Sequence, residues 1–197
     1  MEANRYTSKQ HEIAECARRI IVTQGIERLT IREIAKELKL TDGALYRHFK
    51  SKKEIINLLI EDIENTLLNI IETAAKKVNN PQVKLINIFL YHLSYAEQRR
   101  GVSFIVINET FNLHNKTLQK KMFKIVDKYL KKIEEILIDG VLSGKFRKDI
   151  DTVSASIVFF GMVQSLVTIW ALNGYKYSLR GKHIKNCFDI YIKGIIA

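Results

Sequence analysis

Apolar residues recur at helical spacing almost from end to end of this chain, and a single proline, Pro81, interrupts the runs. That combination excludes most β architectures, which need short alternating strands between frequent Gly and Pro turns. β-Branched residues are common, but they lie inside the helical runs rather than in alternation. The fold class that follows is all-α, with about nine helices.

The first helix is expected over residues 8–24, with Ile13, Ala17, Ile20 and Ile21 on one face and Gly25 ending it. A second opens at Thr30, where Thr-Ile-Arg-Glu places Glu33 three residues after a capping hydroxyl. Its inner side carries Ile34, Ala35 and Leu38. After a break at 39–41, a third helix covers 42–49. Ser51-Lys-Lys-Glu54 repeats the capping pattern and starts a fourth helix running to about 78. Beyond Pro81, helices are expected over 81–97, 102–113, 116–139, 151–172 and 180–196. Gly101, Asn115, Gly140 with Gly144, and Asn173-Gly174 punctuate them. The organisation read from this is a helix-turn-helix head, 1–53, and a helical body, 54–197, joined through the fourth helix without a flexible linker.

Charge points toward a polyanion. The net charge is +11, and residues 1–53 hold 12 Lys/Arg against 7 Asp/Glu, so the first quarter is more than twice as basic per residue as the rest. A lysine-rich surface kept soluble by charge gives the same number. Two cysteines, Cys16 and Cys187, are too few for a disulfide framework, and no Cys/His spacing suggests a metal. The residues give no reason to expect a cofactor. The first residues lack the apolar core of a signal peptide, so the reading is of a cytoplasmic protein. Residues 152–175 carry no charge and approach a membrane span in length. Gln164 near their middle and several hydroxyls favour a helix buried in a protein or a dimer instead, with no membrane partner.

The third helix reads Thr41-Asp-Gly-Ala-Leu-Tyr-Arg-His-Phe49. Leu45 and Phe49, four apart, turn inward, which leaves Tyr46, Arg47 and His48 facing out beside the small Gly43 and Ala44. Such a surface suits a major groove: Arg47 can read a guanine edge, and Tyr46 and His48 can donate to phosphates. Lys50, Lys52 and Lys53 follow, within reach of the flanking backbone. Each residue also has a plainer use. Tyr46 can pack on the fourth helix, His48 can finish the third, and Arg32 can pair with Glu33 or Glu37.

The stretch from Thr30-Ile-Arg-Glu-Ile-Ala to Gly43-Ala-Leu-Tyr-Arg-His-Phe-Lys-Ser-Lys resembles the DNA-binding domain of the TetR family of bacterial regulators. The likeness is dense over 13–59. A looser one, on Gly140-Val-Leu-Ser-Gly144-Lys-Phe-Arg-Lys-Asp-Ile-Asp151 with Gly161, Trp170 and Gly194, resembles the ligand-binding bodies of AcrR-like members. The resemblance implies a homodimeric repressor that binds a palindromic double-stranded operator and is released by a small hydrophobic or amphipathic effector. Carried over, its base-reading positions fall on Arg32, Asp42, Gly43, Ala44 and Arg47, and its phosphate contacts on Thr30, Tyr46, His48 and Lys52. Two residues depart from the family pattern. Lys39 stands where the turn usually has Gly, at a cost of about 1 kcal/mol in a left-handed conformation. Asp42 is acidic, and is read as a helix cap or an acceptor for a cytosine amino group.

In the body, Ser154, Val158, Gly161, Ser165, Thr168 and Leu172 form one stripe of mainly small residues, suited to close approach of a partner helix. Ile184, Cys187, Phe188, Tyr191, Ile192 and Ile195 share a face of the last helix, and the two faces together are expected to build the dimer contact. Ligand-binding candidates are Tyr91, Phe104, Asn108, Phe111, Phe160, Gln164 and Trp170, with His92 and Glu109 as further polar groups. The lysines of 120–132 read as a solvated face. No phosphate-binding glycine loop, nucleophile motif or zinc spacing marks an enzyme, so no catalytic residue is assigned. A chromosome-organising DNA binder without ligand response and a helical lipid-binding module are the remaining alternatives.

Overall fold

The computed structural model describes residues 7–76 and 78–197. Among them are nine α-helices: α1 (Ser8–Gln24), α2 (Ile31–Glu37), α3 (Asp42–Tyr46), α4 (Lys52–Ala75), α5 (Pro81–Gln98), α6 (Val102–Asn112), α7 (Lys116–Leu142), α8 (Thr152–Leu172) and α9 (Lys182–Lys193). A 3-10 turn, Ile26–Arg28, separates α1 from α2. The all-α expectation holds.

Local chemistry sets most boundaries. Thr7 and Gln10 form a full capping box at the start of α1, a pattern the sequence reading passes over. Asn80 accepts from the Gln82 and Val83 amides ahead of Pro81, which suits a first helical position because it has no amide to lose. Asn115 and Asp151 cap α7 and α8 in the same way. The expected box at Ser51 is not made, and a bond one residue earlier takes its place. The Ser51 side chain makes no cap bond, and the Glu54 carboxylate accepts from the Lys50 amide at 2.8 Å. Helix α3 closes at Tyr46 rather than Phe49, leaving Arg47–Phe49 in a tight turn, and α9 is shorter at both ends than expected.

Helices α1–α3 wrap around Ile13, Ile20, Ile34, Leu45 and Phe49, and the first turns of α4 close this core with Ile55, Ile56 and Leu59, all buried. Helix α4 then continues without a break into the body, where Leu67, Ile70 and Ile71 are buried as well. Helices α5 and α7 pack along it, and α8 lies along α7. Gly140 explains part of the resemblance in the body. A Cβ there would meet the Phe146 ring at 2.0 Å, so the end of α7 can accept Phe146 only because residue 140 is glycine. The C-terminus is fastened to the same corner, with the Arg147 amide donating to the Ile195 carbonyl at 3.0 Å.

Candidate nucleic-acid interface and effector site

The turn between α2 and α3 puts Lys39 in the left-handed region at φ 53°, as expected for a residue replacing glycine there. Thr41 caps α3, its hydroxyl accepting from the Ala44 amide at 3.2 Å. This corrects the reading of Asp42 as the cap. Asp42 occupies the first helical position, where its charge suits the helix dipole, and its carboxylate lies 3.7 Å from the Arg32 guanidinium. Arg32 therefore pairs across the turn, not with Glu33 or Glu37 on its own helix. Thr30 caps α2 through the Glu33 amide.

Leu45 and Phe49 are buried, and Tyr46, Arg47 and His48 are exposed. Tyr46 is 50% exposed, so its ring is not packed away on α4. None of the three side chains is hydrogen-bonded or ion-paired to another described residue. Gly43 is also exposed, with open space where a Cβ would stand, and Ala44 is half-buried. One edge of the head thus presents an unengaged Arg, Tyr and His over small residues.

Lys52 does not join that edge. Its ammonium donates to the Ile26 carbonyl at 2.9 Å and lies 2.9 Å from the carboxylate of Glu109 in α6. Its donors are turned toward the body and not toward the edge where a phosphate contact was expected. A second polar tie lies beside it. Arg18 on α1, buried, pairs with Glu15 at 2.6 Å and with Asp62 of α4 at 2.7 Å, and Arg99 at the end of α5 meets Glu15 at 2.7 Å. Burial works against the Glu15 charge, but the Arg99 hydrogen bond and the Arg18 charge hold its carboxyl below the usual range. Between Arg18, Asp62, Arg99, Tyr95 and Ser103 a crevice of about 10 Å³ remains, room for one water molecule.

The body centre is aromatic. His92 and Tyr129 share a buried hydrogen bond at 3.1 Å, with Phe104 and Phe160 rings 6.1 and 5.7 Å from one or the other. Burial lowers the His92 pKa to about 4 and pushes the Tyr129 phenol well above its ordinary value, so both are neutral. Of the seven ligand candidates, Phe104 and Phe160 reach this cluster, and Gln164 is half-buried on α8. Tyr91, Asn108 and Phe111 face outward, a correction: Tyr91 and Asn108 each stand about half a turn from a buried neighbour, Phe89 and Thr110, and Phe111 lies in the last turn of α6, 63% exposed. Trp170 is engaged at the end of α8. Its indole N–H donates to the Tyr177 carbonyl at 2.6 Å and its ring stands on Tyr175, which fixes the connection after α8. Tyr129, which lies among the lysines of 120–132 and is not one of the ligand candidates, is fully buried. Its position in the buried series Leu118, Met122, Ile125, Tyr129, Ile133 was a signal available in the sequence.

Helix α8 is long and apolar enough to cross a membrane, yet only 28% of its most apolar 18-residue stretch is buried within the protomer. The expectation of a helix covered nearly all round is therefore not met by one chain. Val153, Ile157, Val158, Ile169 and Leu172 are exposed. The Ser165 and Thr168 hydroxyls donate to the Gly161 and Gln164 carbonyls, so even the polar part of the stripe is internally satisfied. The face of α9 expected to join it points inward: Ile184, Phe188, Tyr191 and Ile192 are buried against the chain's own core. Ile190 is the exposed apolar residue of α9.

A three-helix head with an exposed Tyr-Arg-His edge, carried on a helical body, defines a helix-turn-helix DNA-binding regulator. Residues 13–59 match bacterial regulatory proteins of the tetR family, and residues 53–194 match the C-terminal region of YsiA-like proteins. The chain belongs to the TetR family of bacterial transcriptional regulators. It is similar to the fatty acid metabolism regulator protein of Bacillus subtilis (strain 168), 27% identical over 171 residues that cover 87% of this chain and 88% of the relative. The crystal structure of a transcriptional regulator, FadR, from Bacillus subtilis in complex with stearoyl-CoA superposes with a TM-score of 0.79 at 26% identity, covering 96% of this chain and all of that one. The nucleoid occlusion factor SlmA of Photobacterium profundum is 25% identical over 180 residues, 90% of this chain and 91% of the relative.

Proposed function

We propose that this regulator is a cytoplasmic homodimeric repressor that holds a palindromic operator through Tyr46, Arg47 and His48 and releases it on binding a long-chain acyl-CoA. The observation that carries the effector class is the 26%-identical structure, matched over nearly the whole chain, which holds stearoyl-CoA. Two features of this chain support it. Its body centre is a cluster of rings around one neutral polar pair, suited to an acyl chain, and residues 54–197 carry 20 Lys/Arg against 14 Asp/Glu, favourable to an anionic carrier group. Dimerisation rests on the outward stripe of α8, which a second copy would cover.

The test is operator release. An operator is selected from random duplexes, and stearoyl-CoA, free stearate and coenzyme A are titrated against the complex in a fluorescence anisotropy assay. Stearoyl-CoA is expected to release DNA at micromolar concentration, with coenzyme A inert. The similarity to nucleoid occlusion factors favours the other reading, DNA binding without ligand response. Retention of the operator through saturating acyl-CoA would select it.

A further inference from the structure

Glu109 is the one charged residue of α6, and its side chain is only 8% exposed. A buried carboxylate needs a partner, and removing that partner is costly. Its partner is Lys52, 57 positions away in the chain and at the first position of α4, just after the recognition turn. The same ammonium donates to the Ile26 carbonyl, which already accepts from the Leu29 amide and so closes the 3-10 turn between α1 and α2. One lysine thus joins three parts: the head's first turn, the root of α4 and the C-terminal half of α6. At the other half of α6, five residues back, Phe104 reaches the His92 ring in the aromatic centre.

We propose that Glu109 is a positioning residue for DNA binding: through Lys52 it fixes the head on the body, so that α6 sets where the Tyr-Arg-His edge points. A dimer that grips two half-sites must hold its heads at one spacing, and loosening either head taxes only the two-headed complex. The inference rests on the dimeric reading above, and assigns Lys52 a role different from a phosphate contact.

Wild type, Lys52→Met, Glu109→Gln and the double variant are compared on a selected palindromic operator and on a half-site duplex, across a salt series. Circular dichroism first establishes that each variant is folded. Each single change is expected to weaken palindrome binding by about tenfold, within the usual range for coupling between sites. The double variant should bind no worse than the weaker single, because both changes remove one connection. Half-site affinity and salt slope should not move. Hydrogen exchange supplies an arm that needs no DNA: Glu109→Gln should speed exchange of the Leu29 amide, far from the substitution in sequence. Losses that multiply in the double variant, or unchanged palindrome binding in both singles, would overturn the proposal. So would a Lys52→Met loss on the half-site with a shallower salt slope, which is the signature of a phosphate contact. Wild type that binds the palindrome no better than the half-site refutes the dimeric reading instead. Leu29 exchange then decides the positioning role alone, and unchanged exchange refutes it.

Discussion

Arg32 and Asp42 face each other across the turn of the helix-turn-helix at 3.7 Å, both largely exposed to solvent. An exposed pair of this kind adds little to stability. Its effect is on charge, because Asp42 offsets the charge of Arg32 on α2, beside the recognition helix. Asp42→Asn is therefore expected to free Arg32 for phosphate, raising non-specific DNA affinity and steepening the salt dependence of binding by about one ion. Anisotropy titrations on random duplex over a salt series measure this. Weaker operator binding with unchanged non-specific affinity would show Asp42 to be reading a base.

Arg47 is exposed and has no partner among the described residues, and a free guanidinium can meet a guanine edge with two parallel hydrogen bonds. Arg47→Ala is expected to lower operator affinity by about 1–3 kcal/mol and to relax the preference at one base pair. Competition between operator variants in a gel shift reads both effects. Equal losses on every sequence would reassign Arg47 to the backbone.

The exposed stripe of α8 gives the cleanest test of self-association. Val158 is 57% exposed in the protomer, so a charge there costs the isolated chain little. Val158→Arg is expected to shift sedimentation at micromolar concentration from dimer to monomer while leaving the helical spectrum unchanged. A variant that still sediments as a dimer would move the interface elsewhere.

His92 makes folding stability acid-sensitive. Its pKa falls from an ordinary 6.5 to about 4 because burial disfavours the charged ring. Below pH 6.5 the unfolded chain takes up a proton that the folded chain refuses until about pH 4. Stability therefore falls with pH across that window, by up to about 1.4 kcal/mol per unit. Urea unfolding of His92→Asn should show a flatter profile between pH 6.5 and 4 than wild type. Identical profiles would place the acid sensitivity in other groups.

Gly140 is the tightest packing constraint found among the glycines. Gly140→Ala drives a methyl into the Phe146 ring and should cost about 1–3 kcal/mol, seen as a lower midpoint in thermal unfolding. Gly144, with φ at +69° and open space around it, limits substitution through its backbone instead.

Helix positions and the head were readable because their signals are local. A capping hydroxyl, a glycine and a four-residue apolar repeat lie within one or two turns of each other, and Leu45 with Phe49 was enough to fix which edge of α3 faces out. The surroundings of other site residues depend on how the chain folds back on itself. Nothing near Lys52 announces Glu109, 57 positions away, and the Tyr177 carbonyl, only seven positions after Trp170, is brought to the indole by an irregular connection that no periodicity specifies. Asp42 was misread for a different reason. Two capping side chains stand next to each other at 41 and 42, and backbone conformation chose Thr41. The inward face of α9 shows a further limit, since an apolar helical face is the same pattern whether it meets its own chain or another.

Helix α4 runs unbroken from the root of the head to the middle of the body, which makes helical phase a heritable property of this protein. Each residue of an α-helix turns the chain by about 100° and advances it about 1.5 Å. A single insertion between Leu59 and Leu67 would swing the head round by more than a quarter turn relative to the body. Recombination that grafts a head from a relative must therefore cut inside α4 and keep its register, so gene exchange within the family is restricted to junctions of matching length.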